Sequence, residues 1–329
     1  MLFSLYLAFG LMAGVSIQGS DTAKVVCSAT GDPHYRTFDG KTYDFQGKCK
    51  YVLTKDIGNQ FLIIQDNIGC GNQVPSCTYS LTVVINGVHL VITQGIKVTY
   101  NKADRYSGSF QANGVTVTVH KDRSVEVTTT FGLEIVYHRN YNVYVALTNT
   151  KFFGRLRGLC GNYNNDRNDD FTTSQNQLTN NANVFGDSWK LSNTCPDTVP
   201  SGPNPCEHNV ELKNFAEAHC KKLLNDPFTK CHHLLNPAKA IQNCHFDVCQ
   251  CFQQPEGCLC EEYAAYADEC GMLGVNIPWK SKKEYTACNE PCLSAPCYNG
   301  GVCFVDFNIG YICRCPFGFY GRNCELKTP

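Results

Sequence analysis

Read as a pattern of apolar and polar positions, the chain changes texture twice. From Val25 to Leu147 short stretches alternate with period two and are rich in β-branched residues, the pattern of half-buried strands. LTVVINGVHLVIT places two such runs on either side of Asn86-Gly87, and FQANGVTVTVH repeats the device around Asn113-Gly114. Asn-Gly supplies two positive φ angles at low steric cost, so both predict two-residue hairpins of the I′ type. RSVEVTTTF and LEIVYHRNYNVYVAL continue the alternation. A sheet-rich domain of this length can bury a sizeable core. From Cys206 to Cys288 helix formers take over, as in VELKNFAEAHCKKLLND and CEEYAAYADEC, and predict a small helical domain. DTVPSGPNP, with three prolines, separates the two as a linker. At the start, an uncharged apolar run from Leu2 to Ile17 is short for a membrane span and no basic stop follows it. It predicts a secretory signal peptide over residues 1–20, with cleavage between Ser16 and Ala23. No later stretch is apolar enough to span a bilayer, and the polar ending NCELKTP argues against a membrane anchor, so the expected location is secreted and extracellular.

Cysteine content sharpens this picture. The chain holds 22 cysteines in 329 residues: six between Cys27 and Cys195, ten between Cys206 and Cys288, and six after that. Behind a signal peptide the oxidising compartment makes disulfides the default. Zinc is disfavoured because CQC (249–251) and CLC (258–260) leave one residue between thiols where zinc loops use two to four. The helical segment is therefore expected to be held largely by disulfide staples. With 28 basic and 29 acidic residues, no charge asymmetry points to nucleic acid or an anionic membrane. GxSxG, HExxH and phosphate-cradling loops are absent from the sequence, and its nine histidines, including the pair His232-His233, lack motif partners, so no enzyme activity is expected. No Asn-x-Ser/Thr sequon occurs.

The last six cysteines are spaced C-x4-C-x5-C-x9-C-x-C-x8-C, with Gly300, Gly301, Gly318 and Gly321 at turns and Tyr311 and Phe319 as packing aromatics. This segment resembles an epidermal-growth-factor-like (EGF-like) domain over residues 289–325. The resemblance implies bonds Cys292–Cys303, Cys297–Cys313 and Cys315–Cys324. CSATGDPHYRTFDGKTYDFQGKCKYVL and GLCGNYNNDRNDDF resemble the two signature ends of a von Willebrand factor type D domain, here over residues 25–196. FDVCQC, CLC and YAAYADEC resemble the eight-cysteine helical module, here 205–288, that follows such domains in mucins, zonadhesins, tectorins and related extracellular glycoproteins. The implied fold is mainly β with a small disulfide-rich α module: a sheet-rich type D domain, a helical cysteine-rich module and an EGF-like β-hairpin domain. In the type D domain the resemblance implies bonds Cys27–Cys160, Cys49–Cys195 and Cys70–Cys77. In the helical module it implies Cys206–Cys249, Cys220–Cys244, Cys231–Cys270, Cys251–Cys258 and Cys260–Cys288. Multimer-forming relatives carry a CGLC motif, but the matching stretch is Arg157-Gly158-Leu159-Cys160, and the partner cysteine expected soon after CKYVLTKD is replaced around Gly58. No disulfide-linked multimer is expected.

CGNYNNDRNDDF (160–171) packs four Asn and three Asp between Asn162 and Asp170. Composition alone reads as a solvated turn-rich loop. An EF-hand is excluded, because its sixth position is Arg167 instead of Gly and its twelfth is Thr173 instead of Glu. The type D resemblance implies a different structural Ca2+ site, formed by Asn162, Asn164, Asp169, Asp170, the backbone carbonyl of Asp166, and Asp39 brought near by the Cys27–Cys160 bond. Such a mixture of carboxylates, amides and carbonyls suits calcium. The EGF-like segment is not expected to bind calcium, since Pro291 displaces Asn289-Glu290 from the first cysteine and Asp306 lies one residue late. Gly31-Asp32-Pro33-His34 predicts a turn. It also marks a self-cleavage candidate at Asp32-Pro33, because the aspartate can attack its own carbonyl and expel the proline nitrogen, as in some mucin-like relatives. The functional expectation is a secreted structural or adhesive protein that binds extracellular matrix, mucus or cell-surface macromolecules. The alternative is a soluble receptor ligand that signals through the EGF-like domain.

Overall fold

The period-two alternation becomes two antiparallel sheets. Their strands are β1 (Val25–Thr30), β2 (His34–Arg36), β3 (Thr42–Asp44), β4 (Lys50–Asp56), β5 (Phe61–Gly69), β6 (Ser76–Ile85), β7 (Val88–Thr93), β8 (Lys97–Tyr100), β9 (Asp104–Tyr106), β10 (Phe110–Ala112), β11 (Val115–His120), β12 (Ser124–Thr129), β13 (Leu133–His138), β14 (Val143–Leu147) and β15 (Leu156–Arg157). The first sheet runs β10-β11-β12-β13-β14-β1-β2-β3 and the second β15-β4-β5-β6-β7-β8-β9. The computed structural model describes residues 24–69, 76–101, 104–106, 108–120, 123–200, 202, 205–251, 255–288, 297–306, 310–321 and 323–328. The signal peptide over 1–20, Cys70 of the Cys70–Cys77 pair and Cys292 of the Cys292–Cys303 pair lie outside the described residues.

Both Asn-Gly signals close tight hairpins. Asn86 and Gly87 join Ile85 to Val88, and Asn113 and Gly114 join Ala112 to Val115, all four residues having φ between 48° and 78°. The inward positions of both sheets share one core, with Val117, Val127, Ile135 and Val145 from the first and Ile63, Leu81, Val83 and Leu90 from the second. Each such buried aliphatic side chain contributes about 1.5–3 kcal/mol. Strand β14 departs from alternation, being buried along its whole length, because its second face is covered too.

The cover comes from the helical module, α2 (Val210–Cys220), α3 (Pro237–Gln250) and α4 (Pro255–Met272), which follows the short helix α1 (Ala182–Ser188) of the sheet domain. Asn209 and Asn236 cap α2 and α3 by accepting from amides of their first turns, and Pro237 starts α3 without wasting a donor. Five aromatics, Phe228, Tyr263, Tyr266, Trp279 and Tyr285, fill the module's core together with its disulfides. Met272 of α4 packs on Val26, Val136, Tyr144 and Ala146 of the outer face of the first sheet. Tyr144 donates its hydroxyl to the Ala265 carbonyl at 3.1 Å. The EGF-like segment is two small antiparallel pairs, β16 (Val302–Asp306) with β17 (Gly310–Arg314) and β18 (Phe319–Tyr320) with β19 (Leu326–Lys327). Among the described residues no helix is long and apolar enough to cross a membrane.

One glycine is required where the late signature meets the early one. Gly158 has φ +135°, and a Cβ there would lie 2.7 Å from the Leu53 carbonyl oxygen and 2.8 Å from that of Val52. Those two carbonyls accept from Cys160 and Leu159, so the segment cannot back away without losing both hydrogen bonds. Gly158→Ala is expected to cost about 3 kcal/mol through backbone strain and clash, seen as a lower urea midpoint with an unchanged slope.

Candidate metal centre

The Asn/Asp loop is fastened to the turn after β2 by covalent and polar links. Cys27 in β1 bonds Cys160, with Cα atoms 5.6 Å apart, and both are buried. The Phe38 amide donates to the Cys160 carbonyl at 3.1 Å, and Lys41 Nζ donates to the Arg167 carbonyl at 3.2 Å. Tyr163 lies between Phe38 and Phe153, ring against ring, which anchors the loop's start by apolar contact. Gly161, Tyr163 and Asn165 all take positive φ, and this left-handed alternation turns the backbone tightly enough to bring amides and side chains inward.

Asp39 accepts from the backbone amides of Asn164 and Asn165 at 3.0 and 2.8 Å. Asp169 accepts from the side-chain amides of Asn162 and Asn164, both at 2.8 Å. Asp170, buried at 1% exposure, accepts from the Thr37 hydroxyl at 2.6 Å and the Asn162 amide at 3.3 Å. The Asp166 side chain instead caps its own turn, accepting from Asn168, while its backbone carbonyl accepts from the Asp169 amide at 3.4 Å. The six predicted residues thus sit in one loop cluster, with Asp166 at its exposed rim. Thr37 is an additional member. Its only sequence signal is its place two residues before Asp39.

Electrostatics disfavour this cluster as a purely protein-satisfied loop. Burial, with the Asp39 carboxylate as a further contributor, pushes Asp170 up to about 7. Asn162 Oδ1 is buried without a hydrogen-bond partner, a state that costs about 1–3 kcal/mol. Among the described residues no three His, Cys, Asp or Glu side chains form a metal-holding group by themselves. Any cation here therefore draws on amide and carbonyl oxygens, which calcium accepts and zinc does not prefer. Turning the Asn162 and Asn164 amides over would present oxygens in place of the nitrogens that now face Asp169.

The GDPH stretch lies at the junction with the helical module. Asp32 and Pro33 occupy the turn between β1 and β2, and the Gly31 amide donates to Asn142 Oδ1 at 3.1 Å. His34 is buried, with Nδ1 2.7 Å from Asp44 Oδ1 and Nε2 2.9 Å from Asp247 Oδ1 of α3. Arg36 and the Ser28 hydroxyl both reach Glu269 of α4, at 2.9 and 3.2 Å. Nothing in the sequence pairs residue 34 with residue 247, and this junction is absent from the sequence reading.

Elsewhere the structure bonds Cys49 to Cys195, Cys206 to Cys249, Cys220 to Cys244, Cys231 to Cys270, Cys251 to Cys258, Cys260 to Cys288, Cys297 to Cys313 and Cys315 to Cys324. Among the described residues no cysteine is free.

Comparison with known proteins finds three family models in order. The von Willebrand factor type D domain matches residues 27–177, the C8 domain 219–289 and the EGF-like domain 292–323. Similar curated proteins include SCO-spondin of Gallus gallus, 32% identical over 296 residues and 86% of this chain, and Mucin-5AC of Homo sapiens, 28% identical over 324 residues and 90% of this chain. Mucin-2 of Homo sapiens is 30% identical over 262 residues, 78% of this chain. The chain spans only 5% to 6% of the length of these three relatives.

Proposed function

Because the chain belongs to the proteins built on a von Willebrand factor type D domain followed by a C8 domain, here with an EGF-like domain after them, we propose that it is a non-enzymatic extracellular structural or adhesive protein. It binds matrix, mucus or cell-surface macromolecules, and its type D domain is stabilised by calcium. The observation that carries this reading is the order of the three modules, together with similarity to SCO-spondin and Mucin-5AC over most of this chain. Disulfide density, which suits an oxidising extracellular setting, supports it.

Asp39, Asn162, Asn164, Asp169, Asp170 and the carbonyl of Asp166 would hold the ion. When bound, calcium supplies positive charge that offsets the crowding of Asp39 and Asp170 and gives Asn162 Oδ1 a partner. The protein's own part is to hold these oxygens in one place: the Cys27–Cys160 bond and the Thr37 hydroxyl fix the far side of the cluster. Arg157, at the position where multimer-forming relatives keep a cysteine, folds back on the carbonyls of Gly154 and Leu156, in keeping with a chain that forms no interchain disulfides.

The reading is tested by surface binding of the secreted full chain to purified gel-forming mucin and to extracellular matrix extract, with calcium and with chelator. Saturable binding to either, weakened by chelator, is the expected result. No binding to either surface, together with receptor activation by the isolated segment 289–329, would replace it with the receptor-ligand reading.

A further inference from the structure

At the junction between the GDPH turn and the helices, acids outnumber bases. Asp44 in β3 accepts from His34 and is paired with Lys239 of α3 at 2.9 Å. On the other side of the His34 ring, Asp247 Oδ1 meets Nε2. Its second oxygen lies against the turn, 2.2 Å from where a Cβ on Gly31 would be, so glycine is what admits it. Glu262 of α4 adjoins Asp247, Asp32 faces Asp247 and His34 from the turn, and Glu261 stands at the exposed edge. Fully ionised, the junction would set Asp32, Asp44, Asp247, Glu262 and Glu261 against His34 and Lys239 among the described residues. Farther along α4, Arg36 neutralises Glu269 and His138 stands 3.5 Å from Asp268. Neither pair relieves the excess around His34.

Asp32, Glu262 and His34 respond in one direction and Asp44 in the other. Burial, then Asp247, pushes Asp32 up to about 7 and Glu262 well above the ordinary carboxylate range. Burial opposes the charge on His34, but Asp247 and Asp44 overcome it and hold the imidazolium well above its usual range. Burial likewise opposes ionisation of Asp44, yet His34 and Lys239 bring it to about 2. With Glu262 and His34 protonated, both ring nitrogens of His34 donate, to Asp44 and Asp247, and Glu262 can donate to Asp247.

The geometry points to a proton-operated latch, in which the helical module clamps the GDPH turn while Asp32, Glu262 and His34 hold their protons and loosens its grip as they lose them above neutral pH. Because the docked values are raised over those of the released groups, this contribution to docking is complete in acid and is lost as pH climbs through about 7 for Asp32 and higher for His34 and Glu262. The apolar contact of Met272 with Val26 and Tyr144 carries no titrating group, so the modules remain joined while the turn and its facing helices open locally. The inference concerns groups away from the Asn/Asp loop and does not rest on calcium.

Hydrogen exchange of the full chain at fixed calcium tests it, with rates corrected for intrinsic exchange, from about pH 5.5 to about pH 8.5. Each proton released should raise the opening equilibrium up to about tenfold per pH unit. Segments 31–36, 244–250 and 259–266 should lose at least about tenfold in protection across neutrality, while β13 and β14 keep theirs. Glu262→Gln keeps the shape and a permanent donor to Asp247, and Asp32→Asn removes the other raised carboxyl. Both variants should flatten the pH slope and retain protection on the alkaline side. Protection in those segments that stays constant with pH in the parent, or that falls equally in Glu262→Gln, would overturn the latch.

Discussion

Replacing Cys27 and Cys160 together by serine is expected to destabilise the type D domain by about 6–8 kcal/mol, about 5 of it from the lost cross-link. The bond closes a loop of 133 residues, and the entropy released to the unfolded chain grows with the logarithm of that length. Both sulfurs are buried, so two hydroxyls would enter an apolar site and add a desolvation cost of about 1–3 kcal/mol. Local consequences should exceed the global one at the Asn/Asp loop. Without the bond, Asp39 and Thr37 remain tied to residues 160–170 only through hydrogen bonds such as Phe38 to Cys160 and Thr37 to Asp170. Urea unfolding of the refolded double variant, followed by tryptophan fluorescence, measures the loss. A midpoint shift equivalent to less than about 1 kcal/mol would show that the loop is held by packing and not by the bond. The shorter-range Cys315–Cys324 bond, with a separation of nine, should matter less by the same logarithm.

Calcium removal is expected to lower the melting temperature of the parent by roughly 10 °C, the equivalent of about 3–4 kcal/mol if free calcium had stood at 100 to 1,000 times the dissociation constant. The sign of the Asp170→Asn effect should depend on the ion. In chelator the variant relieves the like-charge crowding of Asp39 and Asp170 while an amide oxygen can still accept from Thr37, so its stability should match or exceed the parent's. In calcium it should lose most of the parent's gain. Differential scanning fluorimetry of both proteins, with and without chelator, makes the comparison. Parent melting that ignores chelator would sink the calcium reading, and equal destabilisation of the variant under both conditions would assign Asp170 a structural role only.

How far the sequence alone reached differs from element to element. Hairpins at Asn86-Gly87 and Asn113-Gly114 were legible because positive φ is a local property of the residues themselves. Most strands were legible for a similar reason, since one face of β5, β6, β7 and β11 meets the core and the other is only partly covered. The continuous burial of β14 and the helix α1 were not specified in that reading. The first reflects α4 lying across the outer face, and the second is a short helix capped by Asn181 within a polar stretch.

The Asn/Asp loop divides along the same line. Its own members could be named from composition and family resemblance, because they lie within nine consecutive residues. That Asp39 accepts amides from Asn164 and Asn165, that Thr37 caps Asp170, and that Asn162 Oδ1 is left buried without a partner depend on how β1 and the loop are brought together.

By itself, then, the sequence determined the order of the three modules, the strand and helix texture of each, and the residues able to offer oxygens to a cation, all of them consequences of short-range pattern and residue chemistry. The tertiary structure alone decided that His34 of the GDPH turn meets Asp247, 213 residues away, and that acidic groups from two modules are gathered around it. Burial and like-charge proximity arise only when distant segments pack, and they push the carboxyls of Asp32, Asp170 and Glu262 well above the ordinary carboxylate range.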